Sequence, residues 1–223
     1  MGIFYPDKLP QSKWLNFYSE RLNTLELNVT FYRFPTIKGL QDWYQKSPED
    51  FLFSVKAPQE ITHVKQFNDC ADLIAKLYEV CKQGLKDKLG GILFQLPPSV
   101  SYSDEMLEQI ISSLNPDFKN VVEFRHKSWW TQKVYDALAE KNIIFCSVSH
   151  PNLPSTIVEN TTTAYIRLHG IPKMFYSNYS PEFLTELKAA IAQKSKLEEV
   201  FVYFNNTAST AGITNAQQFH ERI

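Results

Sequence analysis

Short apolar segments alternate with amphipathic stretches along most of this 223-residue chain. Each segment has four to six residues and is rich in valine, isoleucine, phenylalanine or tyrosine. This composition is typical of buried parallel strands. Seven such segments predict strands at residues 24–28, 51–56, 91–96, 121–124, 143–148, 164–168 and 199–204.

The stretches between the predicted strands have helical patterns. Ser103 precedes an apolar stripe over residues 106–114, and Ser180 followed by Pro181 is a helix N-cap with a first-turn proline. Strict alternation of strand and helix predicts βαβ units in one α/β domain spanning residues 1–223. The parallel sheet of such a domain is either doubly wound or closed into a barrel.

Polar residues recur near the carboxyl ends of the predicted strands at a spacing of two, which places the members of each pair on the same face. In a parallel barrel these side chains converge on one mouth, where the active sites of that architecture lie. In an open sheet they would scatter over two faces. Buried satisfied ion pairs would explain any single pair, but burying so many charges without a function is costly. The residues concerned are Glu26, Asn28, Ser54, Lys56, Gln95, Glu123, Arg125, Arg167, His169, Tyr203 and Asn205.

These residue types indicate a pocket for a small anionic or polyhydroxylated molecule. Lys56, Arg125 and Arg167 suit a carboxylate or phosphate group. Glu26 and Glu123 are the candidate catalytic acid or base, because burial beside other charges can move the pKa of a carboxyl group toward neutrality. His169 is the third catalytic candidate, since imidazole titrates near neutral pH. The side chains expected to orient the substrate are those of Asn28, His63, Gln95, Tyr203 and Asn205, although a loop hydrogen bond is an alternative role for His63. We expect His150 to be a surface residue.

Composition excludes several classes of protein. The net charge of -1 and the absence of a basic block argue against nucleic acid as a partner. No apolar run is long enough to span a bilayer and no targeting segment is evident, so we expect a cytoplasmic protein without membrane contact.

Cys70, Cys81 and Cys146 lack the spacing of a zinc site or a disulfide framework and are interpreted as structural thiols. The sequence identifies no cofactor and assigns no metal site, and a divalent ion at Glu26, Glu123 and His169 has only weak support.

Six segments in order carry a specific family resemblance. They are TLELNVTFYRFP (24–35), FSVKAPQEITH (53–63), LFQLPPS (93–99), VEFRHKSWW (122–130), YIRLHG (165–170) and YFNNT (203–207). They resemble the signature blocks of the YecE-like domain of unknown function family 72. The resemblance implies a TIM-barrel-like fold and no established activity. Members of that family normally begin with a strand before the FYP segment, here residues 4–6, so we expect that first barrel strand to be missing. The strands at 24–28 and 199–204 would then have unpaired edges.

The sequence therefore predicts a TIM-barrel-like α/β protein with a polar pocket at the C-terminal mouth of the barrel. The function that fits is an enzyme that uses acid/base chemistry on a small anionic or polyhydroxylated substrate, as a hydrolase, lyase or isomerase. A non-catalytic protein that binds or senses a small molecule is one alternative. A metal-assisted phosphoesterase or nuclease is another.

Overall fold

The computed structural model describes residues 4–221, and within them seven parallel strands form one sheet that follows chain order. The sheet curves into a nearly closed barrel with helices outside it, which confirms the predicted fold and all seven predicted strands. The strands are β1 (Thr24–Leu27), β2 (Leu52–Lys56), β3 (Leu89–Gln95), β4 (Asn120–Glu123), β5 (Ile144–Ser149), β6 (Thr163–Leu168) and β7 (Glu199–Phe204).

The helices begin where the sequence places their caps. Ser103 accepts a hydrogen bond from the backbone N–H of Met106 at 3.1 Å, and Ser180 accepts one from that of Phe183 at 3.2 Å. Such bonds satisfy N–H groups that have no partner in the first helical turn. The helices are α1 (Trp14–Ser19), α2 (Ile37–Lys46), α3 (Ala71–Leu85), α4 (Asp104–Ser113), α5 (Gln132–Ala139), α6 (Pro181–Ala192) and α7 (Ala211–Glu221).

The predicted strict alternation of strand and helix is wrong at one connection. Residues 150–162, between β5 and β6, contain no helix. Pro151 and Pro154 lie in this segment, and each removes a backbone donor and disfavours helical conformation in the residue before it. The connection therefore returns from the carboxyl end of β5 to the start of β6 as a loop along the outside of β5, where Val158 N–H donates to Ser147 Oγ at 2.9 Å.

Side chains alternate between the barrel interior and the helical layer, as β4 illustrates. Val122 and Phe124 belong to the large apolar cluster that includes the helices. Val121 belongs to the smaller cluster inside the barrel, together with Leu93 and Tyr165. The alternation from which the candidate site residues were predicted is thus present in the fold.

Cys70, Cys81 and Cys146 are buried free thiols.

The barrel is incomplete between β1 and β7. Within residues 4–221, β1 pairs only with β2 and β7 only with β6, so the two facing edges share no backbone ladder, as the sequence predicted. A side-chain hydrogen bond of 2.7 Å between Thr24 Oγ1 and the Tyr203 hydroxyl joins the two strands across this cleft.

None of the helices between residues 4 and 221 combines the length and apolar composition needed to cross a bilayer.

Candidate active site

A cavity of about 720 Å³ opens at the carboxyl ends of the strands. Eight of the eleven predicted site residues line it, which is the convergence expected of a barrel. The eight are Asn28, Lys56, His63, Gln95, Arg125, Arg167, His169 and Asn205. Glu26, Glu123 and Tyr203 do not line this cavity. Glu26 and Glu123 bind the pocket arginines, and the Tyr203 hydroxyl bonds to Thr24 and Ser54 instead.

Arg167 on β6 links three strands inside the barrel. Its Nε and Nη2 donate to Glu26 on β1, with the shortest distance 2.6 Å from Nη2 to Oε1. Its Nη1 lies 2.5 Å from Glu123 Oε2 on β4. Nη2 also approaches Asn28 Oδ1 and Asn205 Oδ1, each at 3.3 Å. Because these groups already engage each guanidinium nitrogen, Arg167 has little donor capacity left for a ligand.

Glu123 is fully buried between two guanidinium groups. Arg125 Nε binds Oε1 of this carboxylate, and Arg167 binds Oε2. Burial opposes ionisation, but the charges of Arg125 and Arg167 outweigh it and hold the pKa of Glu123 well below its usual range. The expectation that burial moves this pKa toward neutrality is therefore wrong. Glu123 acts in this geometry as a permanent counter-ion.

Glu26 is the second buried carboxylate. It accepts a 2.6 Å hydrogen bond from the Tyr165 hydroxyl and a 3.0 Å bond from Asn28 Nδ2, besides its bonds to Arg167. Tyr165 is a member of the site that the sequence reasoning missed. The period of two that predicts Arg167 on β6 and His169 directly after it as site residues also predicts Tyr165.

His169 follows β6 and is 1% exposed. Burial is the main cause that lowers the pKa of His169 to about 4, so the ring is neutral at pH 7 and the expected near-neutral pKa is wrong. Its Nε2 lies 3.1 Å from Arg125 Nη2, which can only donate, and 3.5 Å from Glu123 Oε1, which can only accept. Because the contact with Arg125 is the shorter one, we assign the ring proton to Nδ1. Within the described residues this Nδ1 is buried without a hydrogen-bond partner.

Lys56, at the end of β2, has a different environment from the two arginines. Its ammonium donates to Gln95 Oε1 at 2.8 Å and lies 4.1 Å from the ring centroid of Phe31. No carboxylate among residues 4–221 forms an ion pair with it. Burial, followed by the charge of Arg167, lowers the pKa of Lys56 to about 8. Phe31 lies in the loop after β1, where no strand periodicity could have selected it.

Two further histidines border the cavity. His63 Nδ1 contacts Thr62 Oγ1 at 2.9 Å, while its Nε2 lies 3.5 Å from Gln95 Nε2. Burial and the charges of Lys56 and Arg125 lower the pKa of His63. His150 was expected at the surface, but it is half-buried and lines the cavity because the loop after β5 folds over the barrel end.

The donor set does not favour a metal ion. Within residues 4–221, no group of three or more histidine, cysteine, aspartate or glutamate side chains has the geometry to hold one. Glu26, Glu123 and His169, the three weak metal candidates, are instead engaged with Arg125 and Arg167.

Comparison with known proteins identifies the family. The profile described as protein of unknown function DUF72 matches residues 1–223. The chain belongs to this family. The DUF72 assignment confirms the resemblance that the six sequence segments carry, and the family description names no reaction.

Relatives and solved structures agree with the DUF72 assignment. The UPF0759 protein YunF of Bacillus subtilis (strain 168) is 24% identical over 252 residues, covering 98% of this chain and 89% of that protein. The UPF0759 protein YecE of Escherichia coli (strain K12) is 27% identical over 116 residues, or 52% of this chain and 42% of that protein. A crystal structure of a DUF72 family protein from Thermotoga maritima MSB8 superimposes with a TM-score of 0.89 at 28% identity, covering 100% and 93% of the two chains. A DUF72 structure from Enterococcus faecalis V583, at 21% identity and a TM-score of 0.80 over 95% and 93% of the chains, shares the fold.

Proposed function

We propose that the barrel mouth binds a small organic anion and that the protein is an enzyme acting on it by proton transfer. The observation that carries this proposal is the charge of the cavity wall. Lys56, Arg125 and Arg167 line it, whereas no carboxylate does so among the described lining residues. Even when Glu26 and Glu123 behind the wall are counted, three cations face two carboxylates, which leaves a net charge of +1.

Unused donors favour an anionic ligand over a cationic or apolar one. Arg125 uses Nε for Glu123 and Nη2 for His169, which leaves Nη1 available. Within the described residues, Asn205 Nδ2 and His169 Nδ1 are buried without hydrogen-bond partners. A buried donor without a partner costs about 1–3 kcal/mol, and a bound carboxylate or phosphate would remove that cost. The cavity volume of about 720 Å³ is in the range of small-molecule sites.

Lys56 and His63 are the groups that transfer protons in this site, and the buried carboxylates are not. Glu123 stays ionised and orients the arginines, and Glu26 is occupied by Arg167 and Tyr165. His63 is a neutral base at the cavity wall, because its pKa is lowered. Lys56, with a pKa of about 8, is an acid near neutral pH. Catalytic groups are most effective when their pKa lies close to the working pH.

A thermal-melt experiment tests the binding part of this proposal. Inorganic phosphate, dihydroxyacetone phosphate and pyruvate are titrated into the wild type, and a ligand at 100 times its Kd should add about 2.7 kcal/mol to the free energy of unfolding. Arg125→Gln and Lys56→Met should lose the shift while remaining folded. Lys127→Met, which removes an exposed positive charge outside the cavity, is the matched control and should retain it. No shift with any anion, or an equal shift in all variants, would refute anion binding at the mouth.

A second measurement separates an enzyme from a non-catalytic binding protein. The anion that gives the largest shift is incubated with the protein and followed by NMR for exchange or conversion. Wild type should convert it, and His63→Gln should bind it with little conversion. An anion that remains unchanged in the presence of wild type would favour the sensing alternative.

A further inference from the structure

We infer that Lys56 forms an imine with the carbonyl group of an anionic aldehyde or ketone held in the cavity. The inference rests on the proposed anion binding and adds the substrate class, a carbonyl compound that carries a carboxylate or phosphate. It assigns to Lys56 a covalent role that the two arginines lack, because guanidinium groups stay protonated and are poor nucleophiles.

The contacts of Lys56 are those of a reactive amine. Its side-chain ammonium has one hydrogen bond to a described residue, which goes to the uncharged amide oxygen of Gln95 at 2.8 Å. The ring centroid of Phe31 lies 4.1 Å from the ammonium nitrogen, so the ring shields one side of it. By contrast, Lys133 on α5 is exposed and paired with Asp104 at 2.6 Å. Lysines become nucleophilic at neutral pH when they are desolvated or lie next to other cations, and both conditions apply to Lys56.

The charge state of Lys56 also favours a nucleophilic role. With a pKa of about 8, Lys56 has about two hundredfold more neutral amine at pH 7 than an ordinary lysine, whose pKa is about 10.4. Arg125 remains to hold the anionic end of the substrate, since its Nη1 has no partner among the described residues. The carbonyl end then lies in the same cavity as the amine.

The covalent step balances without any oxidant or cofactor. The nitrogen lone pair of Lys56 forms a C–N bond to the carbonyl carbon while the C=O π electrons move to oxygen. One proton passes from nitrogen to that oxygen, and this gives a carbinolamine. The hydroxyl group takes a second proton from solvent and leaves as water, while the nitrogen lone pair completes the C=N bond. His63 is the neighbouring base, because its Nε2 and the Lys56 ammonium both approach the side-chain amide of Gln95 and both residues line the cavity.

Reductive trapping tests the inference. Wild type is incubated with pyruvate or dihydroxyacetone phosphate and sodium cyanoborohydride at pH 7, and labelled lysines are located by peptide mass spectrometry. We expect Lys56 to be labelled at least about tenfold faster than any other lysine, because more of its amine is neutral. Inorganic phosphate, which competes for the anion site, should slow this labelling. Lys127→Arg should label as wild type does.

Lys56→Arg separates failure of the imine from failure of anion binding. Arginine keeps the positive charge, so this variant should still give a thermal shift with inorganic phosphate but should yield no adduct at position 56. A phosphate shift in wild type with labelling at Lys56 no faster than at surface lysines would overturn the imine and leave the anion site standing. The absence of both the shift and selective labelling would overturn both.

Discussion

Arg167 Nη1 and Glu123 Oε2 lie 2.5 Å apart, and both side chains are at most 3% exposed. The pair joins β6 to β4, two strands that are not neighbours in the sheet. Arg167 also binds Glu26 on β1, so one guanidinium group ties together opposite parts of the barrel wall. Removing one member of a buried ion pair leaves the other charge without compensation.

We expect Arg167→Met to lower the free energy of unfolding by about 3–5 kcal/mol, because Glu26 and Glu123 would lose their shared partner inside the barrel. Urea denaturation at pH 7 measures the change. Arg21→Met is the matched control, since Arg21 pairs with Glu20 at the surface and such pairs contribute at most about 1 kcal/mol. Equal losses in the two variants would contradict the structural role of Arg167.

His169 should make the protein less stable as pH falls from about 6.5 to about 4. The unfolded chain binds a proton at the ordinary histidine pKa of about 6.5, whereas the folded protein binds it only near the lowered pKa of about 4. This difference contributes roughly 3 kcal/mol, present at neutral pH and lost across that interval. His169→Gln should flatten the corresponding part of the stability profile.

Urea denaturation over a pH series tests the His169 prediction. The quantity compared is the difference between the stability profiles of the wild type and His169→Gln. His63 and His150 also have lowered pKa values, but both remain in the variant, so the difference between the two profiles isolates His169. Parallel profiles for wild type and His169→Gln would show that His169 is not the group responsible.

The parallel strands and most of the residues at the barrel mouth follow from local sequence patterns, whereas the choice of a barrel depended on the family resemblance. The pairing inside the barrel follows from neither. Strand alternation selected Arg125 and Arg167 because it depends on a few neighbouring residues. The contact between Arg167 and Glu26 spans 141 positions and depends on barrel curvature and strand register. Consequently the sequence suggested carboxylates with near-neutral pKa, whereas the fold surrounds Glu123 with cations. Phe31 and His150 lie outside the strands, so no periodic pattern selects them.

Tyr203→Phe should weaken the closure between β7 and β1. The buried hydroxyl bonds to Thr24 Oγ1 at 2.7 Å and to Ser54 Oγ at 2.9 Å, and its removal leaves both groups short of a partner. We expect a loss of about 1–3 kcal/mol in urea denaturation, together with faster hydrogen exchange in β1. Tyr32→Phe, at a tyrosine that is 77% exposed, is the matched control and should change neither quantity. Unchanged exchange in Tyr203→Phe would show that this hydroxyl does not hold the two strands together.

Anion affinity at the mouth should fall as pH rises through about 8. Lys56 carries its positive charge below its pKa of about 8 and loses it above, so the attraction for a bound anion weakens with rising pH. Isothermal titration with inorganic sulfate, whose charge is constant from pH 6 to 10, measures the trend. Lys56→Arg should make the affinity nearly independent of pH over this range, because arginine stays protonated throughout. A pH-dependent loss of the same size in Lys56→Arg would assign the titration to another group.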